Sequence, residues 1–363
     1  MTRVACTGGM NPAYSDSFPS YSTPYVSAKS LSAIASCLHP SRDNAQIQRT
    51  VPGSLLISEG PFIAAQAGGM PHVPGIWNDE QVAAWRRVTD AVHAKGSFIF
   101  MQLWAVGRAA TVSQLKKEDP NFPYVGPSDI KLSGRSETPR PLTVTEIKEY
   151  VQLYATAASN AVHRAGFDGV EFHGANGYLV DQFLQDVSNN RTDEYGGSVE
   201  NRCRFALEAL EAISKAVGQS RTAVRLSPWG EFQDMRMADA TIFSTYTHFI
   251  TRLSELYPNL AYVHVIEPDA QGSAGRSPRK GESNEFIRKI WAPRPIISAG
   301  GYSRESALKV AEETGQLIAF GRAYIPNPDL PLRLRKNLPL TATDRSVFYG
   351  CKGVMNRGDL ERI

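Results

Sequence analysis

A TIM (β/α)8 barrel, an α/β fold of eight parallel strands each followed by a helix, is what three features of this sequence predict. Its 363 residues suit one such barrel, which takes about 250 residues before insertions. From residue 54 onward, short β-rich apolar runs alternate with longer segments of helical period, the order that parallel strands and crossover helices impose. Each run ends on a polar or glycine residue, as expected where both strand faces are buried and the reactive rim lies at the C-terminal mouth.

Seven strands follow in order: Ser54 to Gly60, Ser97 to Trp104, Asp168 to His173, Thr222 to Ser227, Ala261 to Glu267, Pro295 to Gly301 and Gln316 to Arg322. Between them, Thr143 and Glu146 form a capping box before a helix running to about Ala165, with Ile147, Tyr150, Val151 and Tyr154 on one face. Ser198 caps a helix carrying Phe205, Leu210, Ile213 and Val217, and Ser303 caps the helix through Val310. The stretch Lys116 to Pro141 is rich in Pro, Ser and charge without periodicity and reads as a long loop over the mouth. An eighth strand, the first of the barrel, belongs within residues 1 to 50 and is in doubt, since the best apolar candidate there is only Ser30 to Leu38. The chain therefore divides into an atypical N-terminal segment (1–50), the barrel (51–350) and an atypical tail (351–363).

Composition narrows the function classes. A net charge of +3 without a Lys/Arg run speaks against nucleic acid and anionic membrane as partners. Cys6, Cys37, Cys203 and Cys351 are widely spaced and show no C-x-x-C pair, so neither a metal centre nor a redox pair is expected, and a reducing interior is. No apolar run approaches the roughly 18 residues of a membrane span, nor does the N-terminus resemble a signal peptide; a cytoplasmic enzyme of small molecules is the expectation. Oligomeric state stays open between monomer and homodimer.

The stretch from Glu171 to Asp186, EFHGANGYLVDQFLQD, carries the chemistry. His173, Asn176 and Tyr178 stand at a strand end and in the loop after it, where barrel enzymes place reacting groups. Two hydrogen-bond donors beside a phenol suit polarising a carbonyl and delivering a proton. On these residues alone, a His at a strand end also suits a structural hydrogen-bonder. Gly300 and Gly301 close the seventh strand of a full barrel, and Gly321 and Arg322 the eighth. Barrels hold phosphate at these two loops, with glycine N–H groups approaching the oxyanion and an Arg clamping it.

HGANGYL, followed by NRTDEYGGSVENRCRF from Asn190, resembles the signature of the old yellow enzyme family. Similar blocks run from VPGSLLISEG at Val51 through SFIFMQLWAVGRAA, VRLSPWGEF, YVHVIEP and SAGGYS to AFGRAYIPNPDLPLRL at Ala319, so the resemblance covers about residues 51 to 350. It implies an FMN at the barrel mouth, reduced by NADPH or NADH, that passes hydride to the β-carbon of an enone or enal. By position, it further implies that His173 and Asn176 bind the substrate carbonyl and that Tyr178 protonates the α-carbon. Gln102 and Arg225 would contact the flavin ring, Gly60 would lie near it, and Trp104 would shape the substrate pocket. Gly300, Gly301, Gly321 and Arg322 would hold the FMN phosphate. Without the family, Gln102 could equally cap a strand and Arg225 pair with a core carboxylate; His264 reads as structural, and Arg191, Asp193, Tyr195 and Arg202 as a loop-stabilising network.

The resemblance stops at both ends. No AP-x-TR segment, which in the family contacts the flavin, occurs within residues 1 to 50, and residues 351 to 363 lack the family's EGY-x-DYP type of ending. A catalytically impaired or non-catalytic flavin-fold protein is thus the alternative expectation. An aldolase-type barrel is disfavoured because no Lys stands at a strand end to form a Schiff base.

Overall fold

The computed structural model describes Val26–Ser27, residues 49–271 and residues 274–344. Eight strands form one parallel sheet in chain order: β1 (Val26–Ser27), β2 (Leu55–Ile57), β3 (Phe98–Leu103), β4 (Gly169–Gly174), β5 (Thr222–Leu226), β6 (Tyr262–Ile266), β7 (Ile296–Ala299) and β8 (Leu317–Ala319). The sheet curls until β1 approaches β8. All seven strands read from the sequence are present, because burial on both faces leaves a continuous apolar run that the eye can find.

The first strand is the exception. The structure supplies it with Val26 and Ser27, paired in parallel with Leu56 and Ile57. That is two residues where β3 and β4 have six. Ser30 to Leu38, residues 351–363 and Cys6, Cys37 and Cys351 lie outside the described residues.

A second tie spans the seam. Arg49, buried, donates from Nε to the Tyr324 carbonyl at 3.1 Å and from Nη2 to the Ile325 carbonyl at 3.1 Å, and the Tyr324 hydroxyl donates to the Arg49 carbonyl at 2.7 Å. These three bonds lock the segment entering β2 to the turn leaving β8.

Nine helices are found among the described residues: α1 (Asp79–Ala94), α2 (Val112–Glu118), α3 (Val144–Ser159), α4 (Leu179–Leu184), α5 (Val199–Val217), α6 (Asp239–Leu256), α7 (Glu285–Trp291), α8 (Arg304–Thr314) and α9 (Leu330–Lys336). The three predicted caps hold. Thr143 and Glu146 bond reciprocally, and Ser198 and Ser303 accept the N–H groups of Asn201 and Ser306. Boundaries differ from the sequence reading: the strands are shorter, β2 being Leu55–Ile57 and β7 Ile296–Ala299, and α8 runs on to Thr314. α3 stops at Ser159 and gives way to a wider turn over Asn160–Arg164, where the Asn160 amide donates to the Ile76 carbonyl. The expected loop from Lys116 begins inside α2 and contains a short parallel ladder of Val125–Gly126 with Arg140–Pro141.

Two cores follow from strand alternation. Leu56, Ile99, Met101, Val170, Phe172, Val224 and Val263 face outward into the helix layer. Leu55, Ile57, Phe100, Ala223, Tyr262, Ile297 and Ala319 fill the lumen. One step toward the C-terminal mouth, the inward positions of four central strands turn polar: Gln102 on β3, Glu171 and His173 on β4, Arg225 on β5 and His264 on β6, all buried. Register sets them side by side, Gln102 opposite Glu171, His173 opposite Arg225 and Arg225 opposite His264.

Candidate active site

Burying five polar side chains in one layer is costly unless they satisfy one another. Glu171 does much of this work. Its Oε1 accepts from Gln102 Nε2 at 2.5 Å and its Oε2 from His264 Nδ1 at 2.8 Å. The Gln102 backbone N–H donates to Ser58 Oγ at 3.1 Å. Burial pushes the Glu171 carboxyl up, but the charges of His264 and Arg225 and the Gln102 amide outweigh it and bring the pKa down to about 2. A carboxylate therefore stands at the centre of the lumen, with the Arg225 cation and the Gln102 amide beside it.

Above this layer, aromatic side chains converge. The imidazole of His173 and the indole of Trp104 lie nearly parallel, their centroids 6.3 Å apart and planes at 30°. Tyr178 meets both edge-on, at 5.1 Å from His173 and 4.7 Å from Trp104. His173 Nδ1 accepts the Ala175 N–H at 3.3 Å, which puts the proton of the neutral ring on Nε2. The Trp104 Nε1–H is buried with no hydrogen-bond acceptor among the described residues. Gly60 packs on the same indole: a Cβ there would come within 3.1 Å of Trp104 Cβ.

The loop that presents Asn176 and Tyr178 is held from below by a carboxylate. Asn176 takes a left-handed φ of 60°, a conformation that Asn tolerates better than most residues. Its N–H donates to Ser227 Oγ at 2.7 Å, and that hydroxyl passes the chain on to Asp181 Oδ2 at 3.3 Å. Asp181 also accepts from the Gly177 N–H at 2.8 Å, Gln185 Nε2 at 2.9 Å and the Tyr246 hydroxyl at 3.2 Å. Burial raises the Asp181 carboxyl to about 6, against these four donors, which lower it. Arg108, also buried, donates to the Ile130 and Gln233 carbonyls and so ties the loop before Arg140 to the one after β5.

On the far arc of the rim, Gly301 follows β7 with φ 63° and Gly321 precedes the short turn Arg322–Tyr324 after β8. Asp269, from the loop after β6, reaches into this arc: a Cβ on Gly301 would lie 3.5 Å from Asp269 Oδ2 and 3.7 Å from Arg322 Nη2. Glycines and an arginine fit a phosphate, and the amide and cation of the lumen layer fit the polar edge of a flavin. Asp269 alone runs against that fit.

Sequence reasoning thus named three clusters: Trp104, His173, Asn176 and Tyr178; Gln102 and Arg225; and Gly300, Gly301, Gly321 and Arg322. It missed Glu171, Asp181, Ser227 and Asp269. Glu171 was within reach, since a buried strand with His173 facing inward must point the residue two earlier the same way. Asp181 had no comparable signal, because its partners come from three separate segments. Arg191, by contrast, spends its guanidinium on Asp193 and on the Pro127 and Leu142 carbonyls, and Arg202 bonds the Leu184 and Gly197 carbonyls and Thr245, so both brace loops.

Comparison with known proteins gives a consistent picture. The sequence profile of the NADH:flavin oxidoreductase / NADH oxidase family matches residues 42–341. The chain is similar to an NADP-dependent oxidoreductase of Aspergillus flavus (47% identical, covering 83% of this chain and 81% of that one). It is similar to a chanoclavine-I aldehyde reductase of Penicillium roqueforti (46%; 83% and 80%) and to a "probable inactive dehydrogenase" of Claviceps fusiformis (43%; 83% and 79%). Among solved structures, an old yellow enzyme homologue from Zymomonas mobilis superposes with a TM-score of 0.82 at 33% identity, covering 91% of this chain and 92% of that one.

Proposed function

This chain belongs to the NADH:flavin oxidoreductase / NADH oxidase family, in which the old yellow enzymes stand, and we propose that it reduces the C=C bond of an α,β-unsaturated aldehyde or ketone. It is an FMN-dependent NAD(P)H oxidoreductase with NADPH as the reductant. The observation that carries the substrate reading is the convergence of Trp104, His173 and Tyr178 beside Asn176 at the lumen mouth. An aldehyde among the substrates is in keeping with the reductase of Penicillium roqueforti.

What bound FMN supplies is hydride chemistry, uptake from NADPH and delivery to the β-carbon. Gln102 and Arg225 would hold the ring, Gly60 would lie beside it, and Gly300, Gly301, Gly321 and Arg322 would take the phosphate. His173 Nε2–H and the Asn176 amide donate to the substrate carbonyl oxygen, where negative charge collects as the β-carbon is reduced. Donors fixed in advance need no reorganisation at that moment, an effect worth about 3 kcal/mol each. Tyr178 then gives its hydroxyl proton to the α-carbon, and solvent restores it. Trp104 closes one side of the cavity and keeps water from the enolate.

The test is to reduce the flavin anaerobically with NADPH and mix it with cinnamaldehyde or 2-cyclohexenone. Rapid reoxidation with formation of the saturated carbonyl compound is expected. Flavin that reduces but stays reduced with every enal and enone tried overturns the substrate class.

A second reading, a catalytically impaired flavin-fold protein, draws support from β1, whose two residues offer little of the backbone that a full first strand presents. The likeness to a relative named as inactive points the same way. Colourless protein after purification supports this reading; close to one FMN per chain that NADPH reduces and an enone reoxidises rejects it.

A further inference from the structure

After β6 the chain carries two acidic residues, Glu267 and Asp269, and only the first is fully engaged. Glu267 pairs with Arg288 and accepts from Ser298 Oγ and Asn284 Nδ2. Asp269 has a buried Oδ1 with no hydrogen-bond donor among the described residues. Its position is set by the backbone: its carbonyl accepts the Arg276 N–H at 2.8 Å, at the base of the ladder of Ala270–Gln271 with Ala274–Gly275.

The carboxylate sits in the glycine arc. A Cβ placed on Gly300 would stand 2.7 Å from Glu267 Cβ, which forces a glycine there, and 2.6 Å from Asp269 Oδ1, which puts the carboxylate directly against that glycine. A Cβ on Gly301 would touch both Asp269 Oδ2, at 3.5 Å, and Arg322 Nη2, at 3.7 Å. An anion at this place is a carboxylate of the chain itself, set against the same glycines and the same arginine that a phosphate would use. Burial pushes the Asp269 carboxyl up more than its own backbone, Arg322 and Arg276 lower it, so the charged group is held here at a cost.

We propose that Asp269 occupies the phosphate subsite as an internal competitor, so that FMN binds only as the Asp269 carboxylate withdraws from Gly300, Gly301 and Arg322. The inference rests on the reading of those residues as the phosphate site. It makes Asp269 a determinant of cofactor affinity in this chain: the terminal phosphate, with a charge of about −2 at neutral pH, must replace one anion rather than fill an open cradle.

Fluorescence titrations of the full chain with FMN and with riboflavin, which lacks the phosphate, separate the two claims. Asp269→Asn keeps the shape and removes the charge; it should tighten FMN about tenfold, as loss of a like-charge contact does, and leave riboflavin unchanged. Adding Arg322→Ala to that variant should erase the gain. If neither the native chain nor Asp269→Asn distinguishes FMN from riboflavin, the phosphate-site reading fails and the inference with it. If both prefer FMN to the same degree, or the variant prefers it less, the phosphate site stands and the role of Asp269 is overturned.

Discussion

The phenol ring of Tyr178 stands edge-on to the imidazole of His173, with centroids 5.1 Å apart and planes at 72°. In the mechanism proposed above, this arrangement lets His173 hold the carbonyl oxygen while Tyr178 reaches the α-carbon. Tyr178→Phe keeps the ring contact and removes only the proton. It should leave flavin reduction by NADPH unchanged and slow reoxidation by an enal at least about 100-fold, the usual scale for a lost general acid. Stopped-flow traces of the two half-reactions decide this, and equal slowing of both would make Tyr178 a cofactor-positioning residue instead.

Asp181 makes stability depend on pH. Its carboxyl is raised by burial from 3.8 to about 6, so the fold favours the protonated form. That contribution is complete below about pH 4 and is lost as pH rises through about 6. The shift corresponds to about 3 kcal/mol. Urea unfolding of the native chain and of Asp181→Asn between pH 4 and 7 should show the native chain losing about that much more than the variant; parallel profiles contradict it. The variant should also turn over an enal several-fold more slowly, because Ser227 and the backbone of Asn176 lose their anchor.

Glu171 has the opposite sign. Held near 2 by His264, Arg225 and Gln102 against burial, it contributes stability above about pH 4.5 that disappears as pH falls through about 2. Removing one partner of a buried charge pair costs about 3 kcal/mol or more. Glu171→Gln should lose that much in urea at pH 7. Glu171→Gln combined with His264→Gln should lose less than the sum of the two single changes, which a double-mutant cycle measures.

The seam offers a cleaner test of barrel closure. Arg49→Ala leaves the Tyr324 and Ile325 carbonyls without their donor and should cost about 2 kcal/mol, while Tyr324→Phe, losing a single bond, should cost about 1. Chemical unfolding at fixed pH ranks them. Equal and negligible losses would mean that the strands alone hold the seam.

Replacing residues 1–48 by a first strand of the old yellow enzyme type, with Arg49 kept, should raise both the thermal midpoint and the flavin retained after dialysis. If neither rises, β1 with its two residues already completes the barrel as well as a longer strand can.

Seven strands could be read from the sequence because parallel strands buried on both faces leave runs such as FIFMQL and YVHVI that no loop would carry. The caps at Thr143, Ser198 and Ser303 were legible because capping depends on residues at most three apart. β1 was not, since two residues give no period. The same limit of range explains the site. His173, Asn176 and Tyr178 lie within one short stretch and announce themselves, whereas Asp181 matters through Ser227 and Tyr246, and Asp269 through Gly300 and Arg322, relationships that exist only once distant strands are neighbours.

Arg49 and its partners at Tyr324 and Ile325 are 275 and 276 positions apart. At about 5 to 20 residues per second, a ribosome needs on the order of tens of seconds to make the intervening chain. For all of that time the edge of the nascent sheet has no far side to join, and its strands carry apolar side chains on both faces below the polar layer. The seam of this chain cannot close during synthesis until the last βα unit emerges, and the demand for chaperone protection should fall on that interval rather than on any single segment.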